Sequence, residues 1–221
     1  MTNILDNASF IREVLDFKDP GDFYVVHILV RAKDVKNCED YHDGSKESQR
    51  LIKTFYIDSV DYFDRKLDQI KEMAIANHAR AYFLPQVRNR LSVNRVLAKK
   101  VIEDIDNVQV KYDRLIRSAV CGCHISRARR WVIDIDWDEE NNDKSSQITI
   151  QRKMAIVSHY IYEITKLLSE TNGGYDPADV YQLESPHGYH IVTPPFDIKK
   201  FSKPDIVKKD AMVNLFCALE D

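Results

Sequence analysis

The pattern of apolar and polar positions divides the first half of the chain into short strands and amphipathic helices. Runs rich in β-branched and aromatic residues predict strands, which are Phe23–Arg31, Leu51–Ile57 and Ala79–Leu84. Capping residues before helically spaced apolar positions predict helices, which begin at Asn7 or Ser9, at Ser59 and near Ser92. We expect the third strand to end at Pro85, because proline has no N–H to donate to a neighbouring strand. The order after the first helix, β-β-α-β-α, is typical of a small α/β layer.

The second half of the chain has a different order, β-α-β-β-α. Residues Trp131–Trp137 predict a strand, and apolar residues spaced by three and four positions predict a long helix over Gln147–Leu168. Two strands, Asp179–Glu184 and Tyr189–Thr193, follow, and a last helix is predicted over Lys209–Leu219. One amphipathic helix covers only one face of such a sheet, so we expect the other face to stay open.

Composition and charge place the chain among ordinary globular proteins. Of its 221 residues, 44% are hydrophobic and 30% are charged, and the net charge is −3. This balance argues against a passive nucleic-acid coat, which carries a basic excess, but not against an enzyme with a local basic rim around an acidic metal centre. No apolar run approaches the roughly 18–20 residues that span a bilayer, and the cysteines do not form a disulfide scaffold. We therefore expect a cytoplasmic protein with reduced thiols and no membrane partner.

Two aspartates on the strand Trp131–Trp137 are the first candidates for chemistry. Alternate strand residues share a face, so Asp134 and Asp136 lie opposite the apolar residues that contact the helix. Their carboxylates stand roughly 7 Å apart along the strand and can both reach one hard cation. Aspartate is disfavoured in strands, which favours a metal site over a merely solvated strand end.

A histidine on a later strand is the third candidate. The turn at Ser185–Gly188 joins two strands into a hairpin, which brings His190 near Glu184 and, if the sheet closes, near the aspartate pair. A lone histidine on a strand is often structural, so both interpretations of His190 stay open on this evidence alone.

These residues resemble two motifs of the archaeo-eukaryotic primase superfamily, the primase-polymerases. Val132–Asp136 (VIDID) is similar to the hydrophobic-Asp-hydrophobic-Asp motif, and Ser185–Val192 (SPHGYHIV) resembles the second motif, with Ser, Gly and His at the same spacing. The chain as a whole is similar to small phage and prophage primase-like proteins. The resemblance implies an α/β (α+β) fold. An RRM-like β-α-β-β catalytic module with an open sheet face would occupy residues 121–221, packed as one unit with an N-terminal α/β region at 1–120.

The resemblance also implies a primase-like nucleotidyltransferase that transfers nucleotides from NTP or dNTP to a nucleic-acid 3′ end. Asp134, Asp136 and a third aspartate would hold Mg²⁺ or Mn²⁺. The family's third motif is a hydrophobic residue followed by Asp. Here the candidate is Asp205, with Asp210 as the alternative, and neither follows the usual apolar residue.

The second motif implies contacts with the incoming triphosphate. His190, helped by Ser185 and the backbone of Gly188, would contact the phosphates, since a glycine lets a phosphate approach the backbone closely. Basic residues beside the motifs are candidates for phosphate or template contacts, with a solvated charge run as the alternative. These basic residues are Arg129, Arg130, Lys208 and Lys209.

The partners implied are single-stranded DNA or RNA and nucleoside triphosphates, with replication proteins as further partners, in a bacterial or phage-infected cell. Two other functions stay open. One is a non-catalytic primase-fold protein that binds single-stranded nucleic acid or nucleotide, and the other is a metal-dependent nuclease that uses the same carboxylates and His190.

Cys121, Cys123 and His124 invite a zinc interpretation. Three ligands with C-x-C spacing and no second pair nearby make a poor zinc site, so free thiols are the preferred interpretation.

Overall fold

The computed structural model describes residues 2–31, 49–107, 109, 111–123, 129–137, 149–171, 176 and 179–220. Within these residues the fold is mixed α+β, with five α-helices and two antiparallel sheets. The strands are β1 (Thr2–Asp6), β2 (Asp22–Arg31), β3 (Gln49–Ile57), β4 (Arg80–Asn89), β5 (Trp131–Asp136), β6 (Tyr181–Ser185), β7 (Gly188–Thr193), β8 (Val207–Lys208) and β9 (Val213–Glu220). The helices are α1 (Ala8–Val14), α2 (Val60–Ala76), α3 (Arg90–Glu103), α4 (Tyr112–Gly122) and α5 (Ile150–Thr171). In this described part of the chain, every helix is too short or too polar to cross a membrane.

Local sequence signals account for most of these elements. Asn7 stands at the N-cap of α1, and the Ser59 side chain caps α2 by accepting a hydrogen bond from the N–H of Tyr62. The segment of strand, long helix and hairpin runs from β5 through α5 to β7, in the predicted order. The predicted helix stop at Gly173–Gly174 lies outside the described residues.

The C-terminal segment is a strand, so the helix predicted over Lys209–Leu219 is wrong. β9 lies between β1 and β4 in a five-stranded sheet of order β1-β9-β4-β2-β3, which we call the first sheet. A central strand is buried on both faces, and Val213, Leu215 and Phe216 are at most 4% exposed. Such a strand is a nearly continuous apolar run, which periodicity alone does not distinguish from a buried helix. The first sheet therefore takes strands from both sides of the boundary placed at residue 120.

Three further elements depart from the sequence expectations. β4 continues past Pro85 to Asn89, because the proline lies where the pairing with β2 shifts register and no regular ladder bond is required of it. β1 and α4 were not predicted at all. β1 depends on its pairing with β9, a partner more than 200 residues away in sequence, which local patterns do not show.

The second sheet has the order β6-β7-β5-β8 and packs between α5 and the first sheet. On one face Ile133, Ile135 and Ile191 form a core with the apolar side of α5. On the other face Val132 and Val192 share a core with the first sheet, α1 and α2. The prediction that this face stays open is therefore wrong where the two sheets meet.

Two buried side-chain amides join the two sheets. Asn7 Nδ2 donates to the carbonyl of Glu184 in β6 and to that of Asn214 in β9, each at 2.9 Å. Gln86 Nε2 in β4 lies 3.1 Å from the carbonyl oxygen of Arg130 and 2.6 Å from that of Lys209. These bonds fix the ends of β5, β6 and β8 against the first sheet.

Candidate functional site

The second sheet brings the two sequence motifs onto one face. Asp134 lies directly opposite His190 in the antiparallel pair of β5 and β7, and Asp136 lies opposite Gly188. On the other side of β7, Ser185 of β6 also pairs with Gly188. Residues opposite each other in antiparallel strands project from the same face. Ser185, His190 and both aspartates therefore lie in two adjacent rows of that face, next to the row of Val132 and Val192 that contacts the first sheet.

A direct contact joins the aspartate and the imidazole. His190 Nε2 is 3.2 Å from Asp134 Oδ1, with the side chain of His190 10% exposed and that of Asp134 50% exposed. The other ring nitrogen, Nδ1, is buried and meets no hydrogen-bond partner among the described residues. A carboxylate accepts but does not donate, so this geometry assigns a proton to Nε2, which donates to Asp134. The nearly buried imidazole therefore meets the half-exposed carboxylate at the border between core and solvent.

The electrostatic surroundings keep Asp134 ionised. The hydrogen bond from His190 lowers the pKa of Asp134 most, against the effect of burial, which raises it; the charges of His190, Lys208 and Arg31 lower it further. Lys208 is opposite Val132 in the β5–β8 pair and so projects from the same face. Arg31 ends β2 of the first sheet, and its Nη1 donates to the hydroxyl of Tyr82 at 3.3 Å.

Arg31 is the site residue that the sequence analysis missed. It lies more than 100 residues before Asp134, in the other half of the chain, and it follows an ordinary apolar strand. Only the packing of the two sheets brings its charge near the carboxylate. A terminal arginine after a buried strand is too common a pattern to identify it in advance.

Gly188 is required by the approach of two strands. A Cβ added there would lie 1.7 Å from the carbonyl oxygen of Ile135 and 3.2 Å from Cα of Asp136. The missing side chain thus lets β7 approach β5 beside the second aspartate, whatever ligand binds there. The family resemblance explains this glycine by phosphate access, but the close contact between β7 and β5 is a sufficient physical reason without it.

The third carboxylate does not join the pair in this arrangement. Asp205 is exposed in the 3₁₀ turn Pro204–Ile206 that precedes β8, while Asp210 Oδ1 lies 3.0 Å from Gln86 Nε2. Within the described ranges, no three His, Cys, Asp or Glu side chains are grouped so that they could hold a metal ion. The protein therefore offers Asp134 and Asp136 on one face of one strand, and within the described residues neither Asp205 nor Asp210 completes a three-carboxylate group with them.

The other predicted basic residues divide into two groups. Arg130 forms an ion pair with Asp179 at 2.8 Å, and Lys209 Nζ lies 5.7 Å from the centre of the Trp131 ring, so both have structural contacts. Arg129 and Lys208 are exposed, and only Lys208 is shown near Asp134 by its register and its charge. Glu184 accepts a hydrogen bond from Tyr189 at 3.1 Å and does not contact His190, because it lies one position along the hairpin, on the opposite face.

The cysteine cluster is only partly described. Cys121 is exposed and Cys123 is buried against the core beneath α4, so the two thiols have different environments. His124 lies outside the described residues.

Comparisons of the chain with protein-family models, with curated proteins and with solved structures gave no significant match.

Proposed function

We propose that this chain is a primase-like nucleotidyltransferase that transfers nucleotides from nucleoside triphosphates to the 3′ end of a nucleic-acid strand. One observation supports this proposal above the others. Asp134, Asp136, His190 and Ser185 come from motifs about 50 residues apart in sequence, yet strand register gathers them on one face, with Asp134 and His190 in contact. A purely structural pair would not require a second carboxylate on the same face.

Two neighbouring carboxylates suit a magnesium or manganese ion that is shared with substrate. Mg²⁺ is commonly bound by one or two carboxylates together with substrate phosphates and water, rather than by a complete set of protein ligands. The absence of a third grouped carboxylate among the described residues is compatible with that mode. When bound, the ion would activate the attacking 3′-hydroxyl and stabilise charge on the transferred phosphoryl group.

His190 has one N–H that serves either of two acceptors. In this structure Nε2–H donates to Asp134 Oδ1. When Asp134 turns its negative charge towards a cation, the same N–H becomes available to a phosphate oxygen of the triphosphate. The imidazole is nearly buried, so it is already oriented for this exchange and loses little side-chain freedom when it occurs. Lys208 and Arg31 supply positive charge beside the same carboxylate, where a triphosphate would need it.

Primer extension tests the proposal. The protein is incubated with a labelled primer on a template, each of the four nucleotides and Mn²⁺, and product length is read on a gel. Asp134→Asn and Asp136→Asn should each lower incorporation by a factor of about 100 or more, because each removes a charge that holds the metal. Asp113→Asn, the same chemical change on the exposed face of α4, should leave incorporation unchanged.

The same assay separates the alternatives. Asp205→Asn tests whether that aspartate joins the metal when substrate binds, and Asp210→Asn tests the same for Asp210 if its stability stays at the wild-type level, because Asp210 also contacts Gln86. Metal-dependent shortening of the primer without extension would show that the protein is a nuclease rather than a nucleotidyltransferase. Binding of nucleotide or single strands with no incorporation under any template and metal would show that it is a non-catalytic binding protein.

A further inference from the structure

A groove at the free edge of the first sheet carries chemistry that the site around Asp134 does not use. It lies between the edge strand β3 and helix α2 and has a volume of about 300 Å³. Among the described strands β3 pairs only with β2, so the other edge of its backbone faces the groove. This groove, which we call the edge groove, is lined by the buried Phe55 and by the polar residues Lys53, Thr54, Tyr56, Tyr62, Lys66 and Gln69.

The carboxylates of α2 lie on a different stripe of the helix from the residues that line the edge groove. Its four carboxylates, on Asp61, Asp64, Asp68 and Glu72, recur at spacings of three, four and four and so share one stripe. The groove residues Tyr62, Lys66 and Gln69 recur at four and three and form another stripe. Among the residues that the structure describes, no carboxylate lines the edge groove. A protein with a net charge of −3 therefore presents a locally positive groove here.

The cations of the groove are available to a ligand. Lys53 is exposed, and none of the ion pairs formed between described residues includes it. Lys66 Nζ donates to the side chain of Gln69 at 3.0 Å and lies 5.9 Å from the centre of the Tyr62 ring. The Arg65 guanidinium lies at the same distance, 5.9 Å, from that ring. Tyr56 is 37% exposed, but its pairing with Val25 places its side chain on the face of β3 opposite Lys53, where its ring lies 5.6 Å from that of Phe23.

We propose that the edge groove binds single-stranded nucleic acid, with its lysines on the phosphate backbone and the ring of Tyr62 against a base. Proteins that hold single strands combine a positive groove with aromatic side chains on which bases stack. An exposed sheet edge also suits an added peptide strand. The choice of nucleic acid over an acidic peptide rests on the proposed function and on Tyr62, the aromatic ring that lies beside the cations of Arg65 and Lys66.

The direction of β3 relates the groove to the site around Asp134. Lys53 pairs with Ile28, and Gln49 pairs with Arg31 at the end of β2. The four-residue step from Lys53 to Gln49 spans about 13 Å at the rise of a strand. Arg50, which is exposed, lies between them. A strand held in the groove therefore has a short, positively charged path towards Arg31 and the second sheet.

Fluorescence anisotropy with a labelled oligothymidylate tests this second surface. The double variant Lys53→Ala/Lys66→Ala should bind about 10-fold more weakly at low salt, and its salt dependence should fall by a log–log slope of about 1.4, or roughly 0.7 for each lost phosphate contact. Tyr62→Leu should weaken binding with little change in that slope, because stacking is not ionic. Lys18→Ala/Lys99→Ala, which removes two exposed lysines elsewhere, is the matched control.

The outcomes separate this proposal from the proposed function. Equal affinity and equal salt slope in the groove variant and the control would overturn the proposal. Tighter binding of an acidic peptide than of oligothymidylate by the wild-type protein would also overturn it. Asp134→Asn should leave oligothymidylate affinity within about twofold while abolishing incorporation, because its charge lies outside the groove. Loss of strand binding in that variant, with none in the groove variant, would place the strand at the aspartates instead.

Discussion

At the residue scale, the pairing of Asp134 with His190 follows from alternation and register. The sequence correctly predicts that both aspartates project away from α5, because their neighbours Ile133 and Ile135 are apolar. It does not predict that His190 faces Asp134 directly, because register depends on the length of the connections and on long-range packing. The contribution of Arg31 depends on the same packing. The sequence therefore predicts which side chains share a face within one strand, but not which residues of other strands lie opposite them.

Gly188 provides a stability test of the strand approach beside Asp136. Gly188→Ala should destabilise the fold by about 3 kcal/mol, since the added Cβ would overlap backbone atoms of β5 that cannot rotate away. Gly122→Ala is the control, because an added Cβ there has no atom within 4 Å, and alanine favours a helix. Urea unfolding of both variants measures the difference. Equal stability of the two would refute the close approach of β7 and β5.

His27 provides a test of pH dependence away from the candidate site. Burial, helped by the charge of Arg117, lowers the pKa of His27 from 6.5 to about 4, and its Nδ1 lies 2.9 Å from Thr54 Oγ1. The unfolded chain binds this proton more readily than the folded protein. The contribution of neutral His27 is therefore complete above pH 6.5 and is lost as pH falls to about 4.

The free energy of unfolding should fall by an amount on the order of 2–3 kcal/mol between pH 6.5 and about pH 4. Urea midpoints measured across this pH range should fall with pH in the wild type and much less in His27→Gln, whose amide keeps a polar contact with Thr54 without titrating. A variant with the wild-type pH dependence would show that other groups cause the loss.

At the element scale, the position of β5 depends on a glutamine in another sheet. Gln86 is 5% exposed and its amide contacts the segments that precede β5 and follow β8. Strand composition predicts β5 well, but no local pattern shows which element holds it in place. The amphipathic stripe of α5 similarly predicts the helix and the face it covers, whereas the first sheet covers the opposite face through residues distant in sequence.

Gln86 variants test this attachment. Gln86→Ala should cost about 2 kcal/mol, because it leaves buried carbonyl oxygens without a donor. Gln86→Glu has the same shape but should cost more, because it places a carboxylate against Asp210 Oδ1 and two carbonyls. Hydrogen exchange should accelerate in β5 and β8 before other strands. If both variants match the wild type in stability and exchange, Gln86 does not anchor the site.

At the scale of the whole molecule, the first sheet joins strands from the N-terminal and C-terminal parts of the chain. β9 lies between β1 and β4, so strands from the two ends of the chain are neighbours. The α+β class and the division into two sheets follow from element order, but this pairing does not, because a short apolar run carries no information about its partner. The sequence-based boundary at residue 120 therefore separates segments that share one sheet.

Truncation at residue 120, which removes β9 together with the second sheet, tests whether the first sheet needs its C-terminal strand. A fragment of residues 1–120 should fail to fold, because β1 and β4 would expose unpaired backbone and the core around Val213 and Leu215 would be missing. Circular dichroism and proteolysis of the fragment, beside the full chain, measure the result. A stable, protease-resistant fragment would show that the first sheet forms without its C-terminal strand.

The most direct test of the account is calorimetric titration of Mn²⁺ into the protein with a non-hydrolysable nucleoside triphosphate, in wild type, Asp134→Asn and Asp136→Asn. The account predicts saturable binding in the wild type and affinity lowered by a factor of about 100 in each variant, because both carboxylates act on one metal–nucleotide unit. His190→Gln should weaken the nucleotide more than the metal. Binding of undiminished affinity in both aspartate variants, or no binding in the wild type, would contradict the central claim.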